Sequence, residues 1–206
     1  MTTVYQPDTF SFTQSVDCDL ANFVTRFQLQ CAPQAKPVRQ VRKAAVLVPI
    51  VCHPDAPTLL LTRRASTLRK HAGQVAFPGG AADSSDTSLI ATALREAEEE
   101  VAIAPEVVTV LGTLPPLDSV SGFQVTPVVG LLPANIRVAP NADEVAELFE
   151  MPLTDAFSLA RYYPLDIERQ RQTHRVYLSW YQQQFVWGLT AAIIRQLAIQ
   201  VSAPTT

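Results

Sequence analysis

Four glutamates crowd one short stretch, Glu96, Glu98, Glu99 and Glu100 in "ALREAEEEVAI", and Arg95 stands directly before them. Carboxylate oxygens are hard ligands, so acids that meet on one surface suit Mg2+ or Mn2+, which combine few carboxylates with waters and substrate phosphate oxygens. On a helix turning about 100° per residue, Glu96, Glu99 and Glu100 fall within roughly one third of the circumference, and Glu98 points elsewhere. Such a cluster is costly. Like charges three and four residues apart repel by roughly 0.2–0.5 kcal/mol per pair, and the dipole at a helix C-terminus opposes each exposed acid by ~0.3–1 kcal/mol. A run of charge on a helix ordinarily marks a solvated face. Here the arginine, the spacing and a "PGG" turn entering from the strand-like "QVAF" set the stretch apart from a generic acidic run.

The elements that must position these acids are legible around them. Ile90, Leu94, Ala97 and Val101 recur at helical spacing as one apolar stripe, and Asp86 or Thr87 is placed to cap the helix start. Gly79 and Gly80 permit a tight turn and a close backbone approach, which serves a strand-to-helix connector and a phosphate contact equally. Just before them, Arg63, Arg64, Arg69, Lys70 and His71 form the densest cationic stretch of the chain. By composition alone that stretch is a solvated basic loop.

Further out, "AAVLVPIVC" and "TLLLTRR" read as strands joined across "HPDAP" in a hairpin. "VVTVLGTL" and "QVTPVVGLL" read as two more strands around a proline-rich loop, with Pro127 suited to a sheet edge or bulge. "NADEVAELFEMPL" reads as a loop and a short strand or turn, leading into a helix "LTDAFSLAR" capped by Thr154 or Asp155. "HRVYLSWY" is an aromatic strand. His174 and those aromatics have the chemistry to line a pocket, although alternating strand aromatics ordinarily pack a core. "TAAIIRQLAIQV", after Gly188 and Thr190, is a closing helix. Leu20, Phe23, Val24 and Phe27 mark a short N-terminal helix that docks as an appendage, followed by the extended connector "APQAKPVRQVRK". Strands and helices mix without strict alternation, which predicts an α/β sandwich with a mixed sheet. The expected partition is residues 1–42 for the N-terminal helix and connector and 43–202 for one catalytic domain.

With 206 residues, 48% of them hydrophobic, the chain can bury one good-sized core. A formal net charge of -3 argues against a dedicated binder of nucleic acid polymers. A small anionic ligand held by a local basic patch remains compatible. Cys18, Cys31 and Cys52 form neither a disulfide framework nor a zinc pattern, which fits a reducing compartment. "MTTVYQPDTFSF" lacks the features of a signal peptide, and no apolar run approaches the ~20 residues that span a bilayer. A cytoplasmic protein without a membrane partner is expected.

The residues "GGAADSSDTSLIATALREAEEEVAI" resemble the signature helix of the Nudix hydrolase family, whose usual form is a glycine, five residues, Glu, seven residues, Arg-Glu, an aliphatic, any residue, Glu-Glu, any residue, Gly and an aliphatic. Arg95, Glu96, Glu99, Glu100 and Ile103 match it directly. Asp86 stands where the first Glu is counted from Gly80, the spacing onward to Arg95 is one residue longer, and Ala102 replaces the later glycine. Either Asp83 or Asp86 is left to do the early acid's work. Ala102 implies a helix end less dependent on positive φ. "LLLTRRASTLRKHAGQVAFPGG" is similar to the extended signature of the family's coenzyme A pyrophosphatase subgroup, and the likeness continues through "LPPLDSVSGFQVTPVVG" to "FVWGLTAAIIRQL".

The resemblance implies a Nudix-type α/β/α sandwich, a small-molecule nucleotide substrate, and Mg2+ or Mn2+ as cofactor. Glu96 and Glu100 would hold the principal ion, with Glu99 completing the site, and Arg95 would orient a carboxylate. Family members often recruit an acid from a distal loop as ligand or general base. Glu144 is the best-placed residue for that role, with Glu147 behind it, and a plain surface acid is the alternative. Arg63, Arg69, His71, Gly79 and Gly80 would contact substrate, and for coenzyme A a basic patch would read its 3′-phosphate. The expected reaction is metal-dependent hydrolysis of the pyrophosphate bond of coenzyme A or its thioesters. The alternatives are ADP-ribose, dinucleotides or nucleoside triphosphates as substrate, or a binding module without turnover. A homodimer is compatible with the sequence.

Overall fold

The computed structural model describes residues 15–29, 42–169 and 172–202. The expected connector at 30–41 and Cys31 lie outside them. In chain order the elements are α1 (Ser15–Leu29), β1 (Arg42–Cys52), β2 (Thr58–Arg64), β3 (Val75–Ala76), β4 (Gly79–Ala81), α2 (Leu89–Val101), β5 (Thr109–Thr113), β6 (Leu117–Asp118) and β7 (Phe123–Pro133). There follow β8 (Val145–Pro152), α3 (Leu153–Ala156), β9 (Tyr163–Arg169), β10 (Gln172–Tyr181), β11 (Gln184–Trp187) and α4 (Gly188–Ser202).

The backbone of the fold is the parallel pair β1 and β7, in register from Arg42 opposite Phe123 to Cys52 opposite Pro133. β2 returns antiparallel beside β1 as the expected hairpin, with Ile50 opposite Leu59. β5 and β6 run antiparallel to β7, β4 pairs with β1, and β3 and β8 pair with β2, so the main sheet is mixed. Parallel neighbours buried on both faces read as near-continuous apolar runs, and β1 shows this pattern.

Successive residues of a strand point to opposite faces, which sorts the core into two layers. Ala45, Leu47 and Val51 of β1 and Val128 and Leu132 of β7 pack with Ala93, Ala97 and Val101 of α2. Val48, Ile50, Val129 and Leu131, on the other face, pack with Ile193, Ile194 and Leu197 of α4. The result is an α/β/α sandwich. Leu20, Phe23 and Phe27 are buried in the α4-side layer, so α1 is part of that core and not an appendage. None of the described helices is long and apolar enough to cross a membrane. Cys52 carries a free thiol, and burial pushes its pKa up to about 11.

Several local expectations are corrected. Ser88, not Asp86 or Thr87, caps α2, its hydroxyl accepting from the Ala91 amide at 3.1 Å. Pro127 lies inside a central strand and not at an edge. β5 ends at Thr113 opposite Val128, and β6 resumes at Leu117 opposite Val125, so the missing N–H falls against the break between them. "VAELFEMP" is one eight-residue strand, β8, paired along β2. The following helix is a single turn, Leu153–Ala156, without a side-chain cap from Thr154 or Asp155. Thr190 sits within α4 and donates to the Val75 carbonyl at 2.9 Å.

A second sheet, β11-β10-β9, is antiparallel and leans on α4. Tyr177 and Tyr181 turn inward against the core, as expected of strand aromatics, whereas Trp180 is exposed on the opposite face. His174 is exposed as well and lines no pocket with them.

Candidate active site

Helix α2 presents its acids unequally. Ala93, Ala97, Glu100 and Val101 form the buried stripe, so Glu100 faces inward with its side chain 5% exposed. Glu96 lies about one turn before Glu100 on nearly the same side and is partly buried, while Glu99 is 58% exposed and Glu98 is in solvent. The three acids therefore share a flank that runs from core to water.

The "PGG" turn is what lets the backbone close on this flank. The Pro78 carbonyl accepts from the Leu47 amide at 2.9 Å, which pins the turn against β1. A Cβ on Gly79 would lie 2.4 Å from the Ala45 carbonyl oxygen, and one on Gly80 would lie 2.4 Å from the Glu96 carboxylate. Gly79 donates its amide to Glu100 at 3.2 Å. Both glycines thus support carboxylates here, Gly79 through its amide and Gly80 by leaving room for Glu96.

Arg95 holds the outer acids. Its Nε and one Nη grip the two oxygens of Asp86 at 3.0 and 3.1 Å, and its other Nη lies 3.0 Å from both Glu96 and Glu99. Asp86 also accepts from the Thr92 hydroxyl at 2.8 Å and the Asp83 amide at 2.9 Å. The bonds from Arg95 and the Asp83 amide hold the Asp86 carboxyl well below the usual range. The two early acids thus make different contacts. Asp86 anchors Arg95, and Asp83 is spent on the turn at Ser85.

Arg64, not Arg63, reaches the inner acid. Its guanidinium lies 3.5 Å from Glu100, and its buried Nε has no hydrogen-bond partner. Arg63, on the opposite parity of β2, binds Glu147 at 2.8–2.9 Å, and Gln184 joins that carboxylate at 3.2 Å. Arg63 and Glu147 therefore stand away from the acidic flank. Leu60 and Arg64 share a parity in β2, and Leu60 packs in the α2-side layer, so strand alternation was the signal that distinguishes Arg64 from Arg63. Arg69 and His71 are exposed on the loop between β2 and β3, where His71 meets Gln74 at 2.9 Å.

Glu144 arrives from the loop before β8. That loop closes the end of α2: Ala139 and Asn141 donate their amides to the Val101 and Glu100 carbonyls at 3.0 and 2.8 Å. The Glu144 carbonyl accepts from Ala65 just beyond Arg64 at 2.8 Å. Its negative charge raises the pKa of both Glu96 and Glu100, which puts it electrostatically on the same site. Ala102 ends the helix at φ 56°, in the left-handed region, contrary to the expectation of a less demanding geometry. The neighbouring Ile103 is fully buried, and its amide donates back to Ala97 at 3.3 Å, which forces that turn.

Burial above all pushes the Glu100 carboxyl up to about 7, Glu144 and Glu96 add to this, and Arg64 and the Gly79 amide oppose it. Glu96 is raised too, again chiefly by burial, with Arg95 opposing. Two adjacent partly buried acids and a third nearby leave negative charge that the protein's own cations do not fully balance. A hard divalent cation fits this donor set. As the side chains stand, no described trio of acids, imidazoles or thiols converges closely enough to hold an ion. Arg95 draws Glu96 and Glu99 outward, while Gly79 and Arg64 draw Glu100 inward.

The family model described as the NUDIX domain matches residues 41–180. A protein of Pectobacterium atrosepticum described as an uncharacterized Nudix hydrolase NudL is 76% identical over 183 residues, 89% of this chain and 95% of that one. A protein of Cronobacter sakazakii with the same description is 62% identical, over 88% of this chain and 94% of its own. Among solved structures, a Nudix hydrolase from M. Smegmatis, RenU, is 26% identical over 55% of this chain and 71% of its own, with a TM-score of 0.47.

Proposed function

Since the chain belongs to the Nudix hydrolase family, we propose that it cleaves the pyrophosphate bond of coenzyme A or its thioesters with a divalent cation, releasing 3′,5′-ADP and (acyl-)4′-phosphopantetheine. The observation that carries the hydrolytic part is the buried Glu100 carboxylate facing Glu96 and Glu144, an arrangement with excess negative charge. Glu96 and Glu100 are the residues to hold Mg2+ or Mn2+, with Glu99, which Arg95 holds at the surface, completing the site on release from that arginine. The bound ion supplies neutralisation of the diphosphate oxygens and a lowered pKa for attacking water.

The chain's own residues do the rest. Arg95, fixed by Asp86, sets the direction of Glu96 and Glu99. Glu144, on a loop tied to the helix end, is the base that takes the proton as water oxygen bonds to phosphorus and the bridging P–O bond breaks toward the leaving phosphate. Arg64 and the exposed Arg69 and His71 are the donors offered to a substrate with three phosphates. The coenzyme A assignment rests on the likeness of "LLLTRRASTLRKHAGQVAFPGG" to that subgroup.

A substrate panel with Mg2+ and Mn2+ tests both parts. Cleavage of coenzyme A and its thioesters, in preference to ADP-ribose, dinucleotides and nucleoside triphosphates, is expected. Cleavage of the others with coenzyme A left intact refutes the substrate while leaving the hydrolase standing. No cleavage of any of them, with metal bound, refutes the enzyme.

A further inference from the structure

The small sheet carries an apolar face that nothing in the described chain covers. Residues directly opposite across antiparallel strands share a face, and their neighbours along each strand point the other way. Ser179 and Val186 are opposite one another and fully buried, which makes theirs the inner face. The outer face follows from the register. Leu178 lies between Tyr163 and Trp187, Val176 opposite Leu165, and Trp180 opposite Phe185.

Over Tyr163–Ile167 and His174–Trp180 this face has no carboxylate, ammonium or guanidinium, because Asp166 and Arg175 stand on the inner parity and pair with each other at 2.7 Å. Trp180 stacks on Phe185 at 4.6 Å between ring centroids, and Phe185 stacks on Trp187 at 6.1 Å. The rings are already ordered, so covering them costs little further side-chain entropy.

The exposed area is on the scale of the largest apolar patch that a typical monomer carries, which is often functional. Tyr163 is 68% exposed, Trp180 62% and Trp187 36%, which at ~150–250 Å2 per aromatic side chain leaves roughly 250–400 Å2 of aromatic surface in water. Leu165 is 46% exposed, and the half-buried Val176, Leu178 and Phe185 extend the patch. A contiguous apolar surface beyond a few hundred Å2 marks a docking site, and a standard interface takes about 800 Å2 from each partner.

We propose that this face is a dimer interface, closed by the same face of a second copy of the chain. Across a two-fold axis one patch must complement itself, and an uncharged apolar face does so where a charged one would not. Two identical twisted antiparallel sheets pack face to face at about 30° with interleaved side chains, a geometry open to this face because it is built only of strands. The same register places His174, opposite Ile167, at the end of this face away from the aromatic rings. The main sheet separates the patch, on the α4 side, from the acids of α2, so pairing leaves the hydrolytic site open.

Both tryptophans of the chain, Trp180 and Trp187, lie on this face, so their emission reports its coverage. Sedimentation of the full chain should give twice 22.5 kDa, and dilution should halve the mass and red-shift the emission together. Leu165→Glu should be monomeric with the emission of the diluted protein and unchanged hydrolysis. Tyr163→Lys, at a more exposed position, gives the same result if the first variant folds poorly by circular dichroism. A monomer throughout the micromolar range overturns the proposal. So does a dimer that persists in both folded variants, a dimer with water-exposed emission, or a monomer whose emission shifts only on added anionic vesicles.

Discussion

Glu100→Gln isolates the electrostatic reasoning in one atom. In the folded protein without metal the Glu100 carboxyl titrates at about 7, against an ordinary value of 4.5. Folding therefore favours the protonated acid, and its contribution is present below the ordinary value and lost as pH rises through about 7. The difference of about 2.5 pH units corresponds to about 3 kcal/mol of stability missing at about pH 8, at 1.36 kcal/mol per unit. Glutamine has the shape of the protonated acid and keeps that stability at every pH. In chelator at about pH 8, the variant should melt ~6–12 °C above the wild type, at about 2–4 °C per kcal/mol for a chain of this size. In acid the two should melt together. Mg2+ at about a thousandfold excess over Kd should reverse the order, since it adds ~4.1 kcal/mol to the wild type alone. Thermal unfolding by circular dichroism at two pH values, with and without Mg2+, reads every arm. A variant no more stable than the wild type in chelator at alkaline pH, or equally stabilised by Mg2+, refutes the reasoning. Turnover should be nearly abolished in the variant.

Arg95→Lys keeps a charge but loses the fork that holds Asp86 and two glutamates, so metal affinity by calorimetry should fall ~10–100-fold with the fold retained. Ala102→Gly relieves a left-handed alanine and should raise stability by about 1 kcal/mol in a denaturant titration, with hydrolysis unchanged.

What was legible in the sequence was local. A 3.6-residue period and its glutamates place α2 and divide Glu98 from the rest, and the near-continuous β-rich apolar runs give β1, β2 and β7. The identity of the inner arginine was not local. It depends on which face of β2 meets α2, and a register shift between Arg63 and Arg64 lies at that point. Asp86 and not Asp83 meets Arg95 because the turn brings it under that side chain, nine residues ahead. Ala102 took a glycine's conformation because burying Ile103 outweighs the strain. The helical wheel gave the angle of Glu99 but not the pull of Arg95 that holds it at the surface. Alternation gave two faces to β10 without saying that only one has a neighbour among the described residues.

The loop that carries Glu144 is fastened to the last carbonyls of α2 through Ala139 and Asn141. Those two bonds make a latch between residues far apart in the chain. The backbone that carries Glu144 cannot move away from the end of α2 unless the latch opens. A bound metal would remove the repulsion between Glu144 and Glu100 and so would tighten a piece of backbone it does not touch. The amides of Ala139 and Asn141 would then be where the charge state of the site is translated into local rigidity.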